Sequence, residues 1–208
     1  MKNVTNRLTK RRVARPVTLL AGLAALAAFT LAPSAASASS PAGTCVLGAL
    51  SQPFAQWGDT NSYELVAGSV FTASSGWTLT GGATPVAGGD PFTKSTGSLY
   101  LPAGASALSP PICVEAGMPA FRFFGVDRSP LASVVASVVY TNPAGIPVTV
   151  PVGTVTLTGQ WEPSARMATL QQIGSAWAGG IGQMRLLFTA LLGPAQIDDI
   201  YVDPRCKW

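Results

Sequence analysis

LASVVASVVYT, residues 131–141, has a period of two. Its even-numbered positions, Ala132, Val134, Ala136, Val138 and Tyr140, are all apolar, while the odd set includes Ser133, Ser137 and Thr141. In a strand successive side chains point to opposite faces, so this stretch is a strand with one side on a second layer. The pattern recurs on both sides of it. Val155 and Leu157 alternate with Thr154, Thr156 and Thr158, and Met184, Leu186 and Phe188 share a face opposite Arg185 and Thr189. Trp77 and Leu79 alternate with Thr78 and Thr80, which assigns Trp77 to the core, and Leu99 and Leu101 flank Tyr100. Ile197-Asp198-Asp199-Ile200-Tyr201-Val202 closes the chain's pattern.

About nine or ten such short strands, separated by Gly, Pro, Ser and Thr with little helical period, predict an all-β fold. The arrangement expected is an antiparallel β-sandwich of jelly-roll type. Gly81–Ser98, with Gly81, Gly82, Pro85, Gly88, Gly89, Pro91 and Gly97, reads as one long surface connection. Ala165–Ala178 is the place for a short helical turn, through Met167–Gln172.

Residues 1–38 read as an export signal that precedes the fold. Lys2, Arg7, Lys10, Arg11, Arg12 and Arg15 form a basic start, and the apolar run Val17–Ala32 follows. That run is shorter than the roughly 20 residues a membrane-crossing helix needs. Ala36-Ser37-Ala38 then supplies the small-x-small pattern of a cleavage site. The expectation is a cleaved signal peptide over 1–38 and a single β-sandwich domain over 39–208, secreted and extracellular or at the cell surface, with no membrane span after cleavage. An uncleaved anchor is the alternative. Six of the 13 basic residues lie in the signal, leaving seven against nine acids, a net charge of −2. The remaining basic residues are scattered and form no stripe for phosphates, so no nucleic-acid partner is expected.

Cys45, Cys113 and Cys206 are the three cysteines. Outside the cytosol a suitable pair oxidises. Cys45–Cys113 is the preferred disulfide, because both lie in the patterned region, with Cys206 left free or intermolecular near the C-terminus. Cys45–Cys206 is the other pairing considered.

The chain has no histidine. That removes the commonest general base, the Ser-His-Asp and Cys-His constellations and most zinc sites. A carboxylate pair could still cleave glycans, with Asp59 and Glu64, or Glu162 with Asp198 or Asp199, in the two roles. The leading expectation is a non-catalytic module, with no catalytic residue assigned. Its partner would be a glycan or other cell-surface polymer. The ligand-binding candidates are aromatic rings in polar company: Trp57 beside Gln56 and Asp59, Tyr100 on its strand's outward side, Trp161 beside Gln160 and Glu162, and Trp177 in a Gly-rich segment. The alternatives are a structural or protein-interaction component of the cell surface and a carboxylate-dependent glycan hydrolase or lyase.

Strict alternation along the last strand places Asp198 on the inward side with Ile200 and Val202, leaving Asp199, Tyr201 and Asp203 outward. An inward carboxylate needs an arginine, backbone amides or a metal ion. Two readings of Asp198 stand: a ligand of calcium, the only cofactor considered, or a sheet-margin carboxylate bonded by a neighbouring loop.

Glu64-Leu65-Val66-Ala67-Gly68-Ser69-Val70-Phe71, then Gly76-Trp77, and the closing Asp198-Asp199-Ile200 resemble carbohydrate-binding-module-like jelly rolls of the galactose-binding-like superfold. Those commonly open near N-G-x-F-E followed by G-W and end on a D-D-V strand. Gln52-Pro53-Phe54, Trp57-Gly58-Asp59 and Ile197–Pro204 also look like a group of small secreted bacterial proteins. The resemblance implies the jelly-roll fold. Thr72 stands where such modules often carry an acidic calcium ligand after the phenylalanine.

Overall fold

The computed structural model describes residues 48–74, 76–114, 118–178 and 182–203. The expected signal over 1–38, Cys45 and Cys206 lie outside these residues. Cys113 is half-buried and disulfide-bonded, and which cysteine it joins also lies outside them.

The alternating segments form strands as expected. In chain order they are β1 (Leu50–Ser51), β2 (Tyr63–Leu65), β3 (Thr78–Thr80), β4 (Thr84–Ala87), β5 (Gly97–Leu101), β6 (Ser106–Leu108) and β7 (Ile112–Val114). Then come β8 (Ala120–Asp127), β9 (Ser133–Thr141), β10 (Pro147–Thr156), β11 (Glu162–Pro163), β12 (Met167–Ala168), the helix α1 (Gln171–Ala178), β13 (Gly182–Ala190) and β14 (Ala195–Asp203). The fourteen strands exceed the nine or ten expected, partly because β1, β11 and β12 are two-residue pieces. Such pieces give loop backbone its hydrogen-bond partners at a sheet margin.

In the first sheet β14 pairs with β8 on one edge and with β5 and β2 on the other. β4 lies outside β5, β1 outside β2, and β11 and β12 beside β8. The second sheet runs β10-β9-β13-β6-β3, with β7 also on β13. All these pairings are antiparallel. The inward faces meet in one apolar core that contains Leu99, Leu101, Phe121, Phe123, Val134, Val138, Leu186, Phe188 and Ile197. Every even-numbered residue from Ala132 to Tyr140 is buried, as the opening pattern requires. The Phe188 ring lies 5.2 Å from Phe123 and 6.2 Å from both Phe121 and Trp77.

Three expectations are corrected. Gly81–Ser98 is not one connection: Thr84–Ala87 pairs with β5, which leaves the turn 81–83 before it and the loop 88–96 after it. Pro85 lacks an N–H, and a proline is tolerated there because β4 is an edge strand. β10, the edge of the other sheet, likewise carries Pro147 and Pro151 and a register shift between Pro151 and Gly153. The helix is Gln171–Ala178, later than expected, because Met167–Ala168 pairs with β8 instead.

The third correction concerns Asp198. The β14–β8 register breaks between Asp198 and Tyr201, and Asp199 takes a left-handed φ of 42°. The bulge resets the alternation. Ile197, Ile200 and Val202 all face the core, while Asp198 is paired with Phe124 on the outer face. That outer face carries a second apolar cluster of Phe54, Tyr63, Phe124 and Tyr201, against which Trp161 packs. Asp198 is nevertheless fully buried, under the loop that follows β4.

Phe188→Ala should lower unfolding free energy by about 3–5 kcal/mol, because it empties a ring-sized space at the meeting of the two sheets. Chemical denaturation checks this, and a loss below about 1 kcal/mol would place the core elsewhere.

Candidate functional site

On the outer face of the first sheet, Arg122 and Phe124 point away from the core that Phe121 and Phe123 fill. The segment 52–62 folds over them. Its short 3-10 turn, Ala55–Trp57, ends at Gly58 with a left-handed φ of 82°. Phe54 enters the second cluster, with ring centroids 5.0 Å from Tyr63 and 5.2 Å from Phe124. Trp57 is left outside it, 39% exposed.

Phe92 stands beside Trp57. It is 40% exposed, and its ring meets Trp57 edge-on at 4.7 Å. Phe124 lies 5.7 Å from Trp57 and 5.6 Å from Phe92. The result is two partly exposed rings on a buried third.

Polar groups converge below Trp57 in a groove of about 400 Å³ lined by Trp57, Gly58, Asp59, Thr60, Asn61, Arg122 and Arg166. Asp59 Oδ2 accepts from the Tyr63 hydroxyl at 2.7 Å and from Arg122 Nη1 at 2.9 Å. Arg122 Nε donates to the Ser164 carbonyl at 2.8 Å, and its guanidinium lies 4.2 Å over the Phe54 ring. Burial by itself would raise the Asp59 pKa. Hydrogen bonds from Tyr63 and the Asn61 amide, then Arg122, outweigh it and hold the carboxyl below its ordinary value. Asn61 Nδ2 donates to Asp203 Oδ2 at 3.1 Å, and Arg166 Nη2 reaches the same oxygen at 3.4 Å. A second depression, about 330 Å³, lies across Trp57 and Arg122 and is lined by Glu162, Pro163, Ser164 and Ala165.

Next to this platform is a cluster of three buried carboxylates, Asp90, Asp198 and Asp199, each with an oxygen within 4.8 Å of the others'. Asp198 Oδ2 accepts from the Asp90 amide at 2.9 Å, and its Oδ1 from the Asp199 amide at 2.9 Å. Asp90 Oδ1 accepts from the amides of Phe92 and Thr93 at 2.8 and 2.9 Å. The Thr93 hydroxyl lies 2.6 Å from Asp90 Oδ2 and also against Asp199 Oδ2, yet it has one proton for two acceptors. Asp199 Oδ1 is buried with no hydrogen-bond partner, the sole such side-chain atom among the described residues. Burial, reinforced by the Asp199 charge, raises the Asp198 pKa to about 8. Burial, together with the Asp90 charge, raises that of Asp199 to about 6. A β-carbon on Gly89 would overlap Asp198 Oδ2, so only glycine lets the loop pass this close. An all-oxygen donor set with an orphaned oxygen and surplus negative charge fits a hard cation such as calcium.

Trp57 and Asp59 thus come together, with Trp161 half-buried at the margin. Tyr100, half-buried on β5 opposite Gln196, lines neither of these depressions. Trp177 lies on α1, and its side chain is outside what is described. Asp59 and Glu64 are engaged separately, the latter by the Gly48 amide at 2.7 Å. Sequence reasoning missed Phe92 and Asp90. The only local signal was an aromatic ring and an acid inside Gly88-Gly89-Asp90-Pro91-Phe92. It also missed Arg122, which stands among Phe121, Phe123 and Phe124. The outer face of the second sheet has a groove of about 300 Å³ lined by Leu108, Pro111, Val139, Thr141, Pro147, Gln183, Met184 and Arg185, with no aromatic ring in it.

No family model matches the sequence, and no curated protein matches it. Solved structures are similar in fold. The tandem CBM22-1–CBM22-2 domain of Xyn10C from Paenibacillus barcinonensis superposes with a TM-score of 0.51 at 12% identity, over 80% of this chain and 48% of that one. The single CBM22-1 xylan-binding domain of the same protein gives 0.46 at 13% identity over 67% and 93%. The C-terminal CBM6 of LamC from Zobellia galactanivorans gives 0.43 at 10% over 61% and 90%. The chain therefore has the jelly-roll fold of carbohydrate-binding modules. Among the described residues no helix is long and apolar enough to cross a membrane.

The raised pKa values fix a sign. A carboxyl whose folded value exceeds its unfolded one adds stability at low pH and loses it as pH rises through the folded value. In chelator the melting temperature should therefore climb as pH is lowered from 9 to 5, across the values of about 8 for Asp198 and about 6 for Asp199. Asp198→Asn should flatten the upper part of that slope. A melting temperature that falls steadily over the same range would show the cluster to be held ionised.

Proposed function

We propose that this chain is a secreted, non-catalytic module that binds a glycan on the outer face of its first sheet. One observation carries the reading: Trp57 and Phe92 present two adjoining, partly exposed rings, and Trp57 borders a groove of carboxylate, amide and guanidinium groups. Sugar rings stack their apolar faces on aromatic planes, and such side chains take the hydroxyls. Xylan-binding neighbours of the same fold support it. Asp59 is neutralised by Arg122 and tied to Tyr63, which suits positioning a hydroxyl better than moving a proton. The same reading takes Cys45 as the partner of Cys113 and calcium as the ion held by Asp90, Asp198 and Asp199.

A different observation favours a second reading, a protein-interaction component. Leu131 and Leu192 are 73% and 81% exposed. Their turns pack together: the Leu191 amide donates to the Ser133 carbonyl at 2.7 Å, and Gly193 lies against Ala132.

Retention of the processed protein on insoluble xylan, cellulose and chitin tests the first reading. Trp57→Ala should weaken retention at least about tenfold, the equivalent of about 1.4 kcal/mol, while Leu192→Ser leaves it unchanged. If Trp57→Ala binds as well as the parent on a retaining polymer, the platform is not the site. Calcium is tested apart from binding. Millimolar calcium should raise the melting temperature and chelator should reverse the rise, and an unmoved melting temperature rejects a stabilising ion.

A further inference from the structure

We infer that the ion held by Asp90, Asp198 and Asp199 controls the glycan platform, by fixing the turn that holds Phe92 against Trp57. The inference rests on the glycan reading for its consequence, but its physical content is the ring contact itself.

The two exposed rings are anchored in different ways. Trp57 belongs to the 3-10 turn whose neighbours are tied down by the second apolar cluster and the Asp59–Tyr63–Arg122 bonds. Phe92 touches that cluster only through its ring, 5.6 Å from Phe124. Its backbone amide and that of Thr93 both donate to Asp90 Oδ1, and the Thr93 hydroxyl bridges towards Asp199. Asp90's own amide is held by Asp198. The polar side chains that fix residues 90–93 in place are therefore the three carboxylates and one threonine.

These carboxylates differ in how freely they move. Asp198 and Asp199 are part of β14, a strand paired along both edges. Asp90 is on a loop. Without a cation, one hydroxyl proton serves two carboxylates and Asp199 Oδ1 has no partner, and the loop that carries Asp90 is the part most free to move away. A divalent cation reverses that balance by giving three carboxylates a common partner. Phe92 is two residues from Asp90, so loosening this turn undoes the 4.7 Å contact with Trp57 and exposes Phe124 beneath.

The test is the Trp57 indole N–H resonance of the processed protein, recorded in 5 mM calcium and after chelation, with Phe92→Ala as reference for a platform without its second ring (concentrations at roughly millimolar excess suffice to saturate such a site). Chelation should move the resonance most of the way to its position in Phe92→Ala and leave that of buried Trp77 in place. Asp90→Asn should show the shifted position with or without calcium. Thr93→Val, which keeps all three carboxylates, should retain the calcium response in part. In parallel, chelation should weaken retention on a polysaccharide that Trp57 requires by about tenfold. A Trp57 resonance that ignores calcium overturns the inference, as does retention that ignores chelation while Trp57→Ala abolishes it. If no polymer retains the protein, the glycan reading falls and the resonance alone decides the coupling.

Discussion

The left-handed turn at Asp199 is the constraint on which the rest of the outer face depends. Without it, β14 would alternate strictly, and Asp198 would share the core with Ile200 and Val202. With it, Ile197, Ile200 and Val202 all reach the core and Asp198 turns to the outer face beside Phe124. The turn is braced from outside: the Asp199 amide donates to the Ser69 carbonyl at 3.0 Å, and the Ile200 amide to Ser69 Oγ at 3.2 Å. One irregular residue thereby sets a carboxylate cluster next to an aromatic one.

The fold was largely legible in the residues, and the reason is physical. Alternation is a property of the backbone, so Ala132–Tyr140, Met184–Phe188 and Trp77–Leu79 identify their buried faces without any tertiary knowledge. The places where alternation misleads are those where long-range contacts override it. Nothing local in Asp198-Asp199-Ile200 announces a bulge, because its cause is Ser69, far away in the chain. Pro85 disguised β4 as loop, since the edge position that tolerates proline is a feature of the finished sheet.

The site was legible in part. Trp57 and Asp59 announce themselves by mutual proximity in sequence, and they do meet in one groove. Phe92 and Asp90 come from one other segment and Arg122 from another, and only the folded sheet brings them to that spot. Tyr100 and Trp161 fitted the same description by composition. β5 sets Tyr100 opposite Gln196 and outside the groove, and the second apolar cluster claims part of Trp161.

The prolines on the open edges have a consequence at high local density. β4 and β10 expose backbone that could template another chain's strand, yet Pro85, Pro147 and Pro151 remove donors there and the irregularity after Pro151 bends the edge. Copies crowded side by side along a polymer are thereby denied sheet-to-sheet growth at these edges.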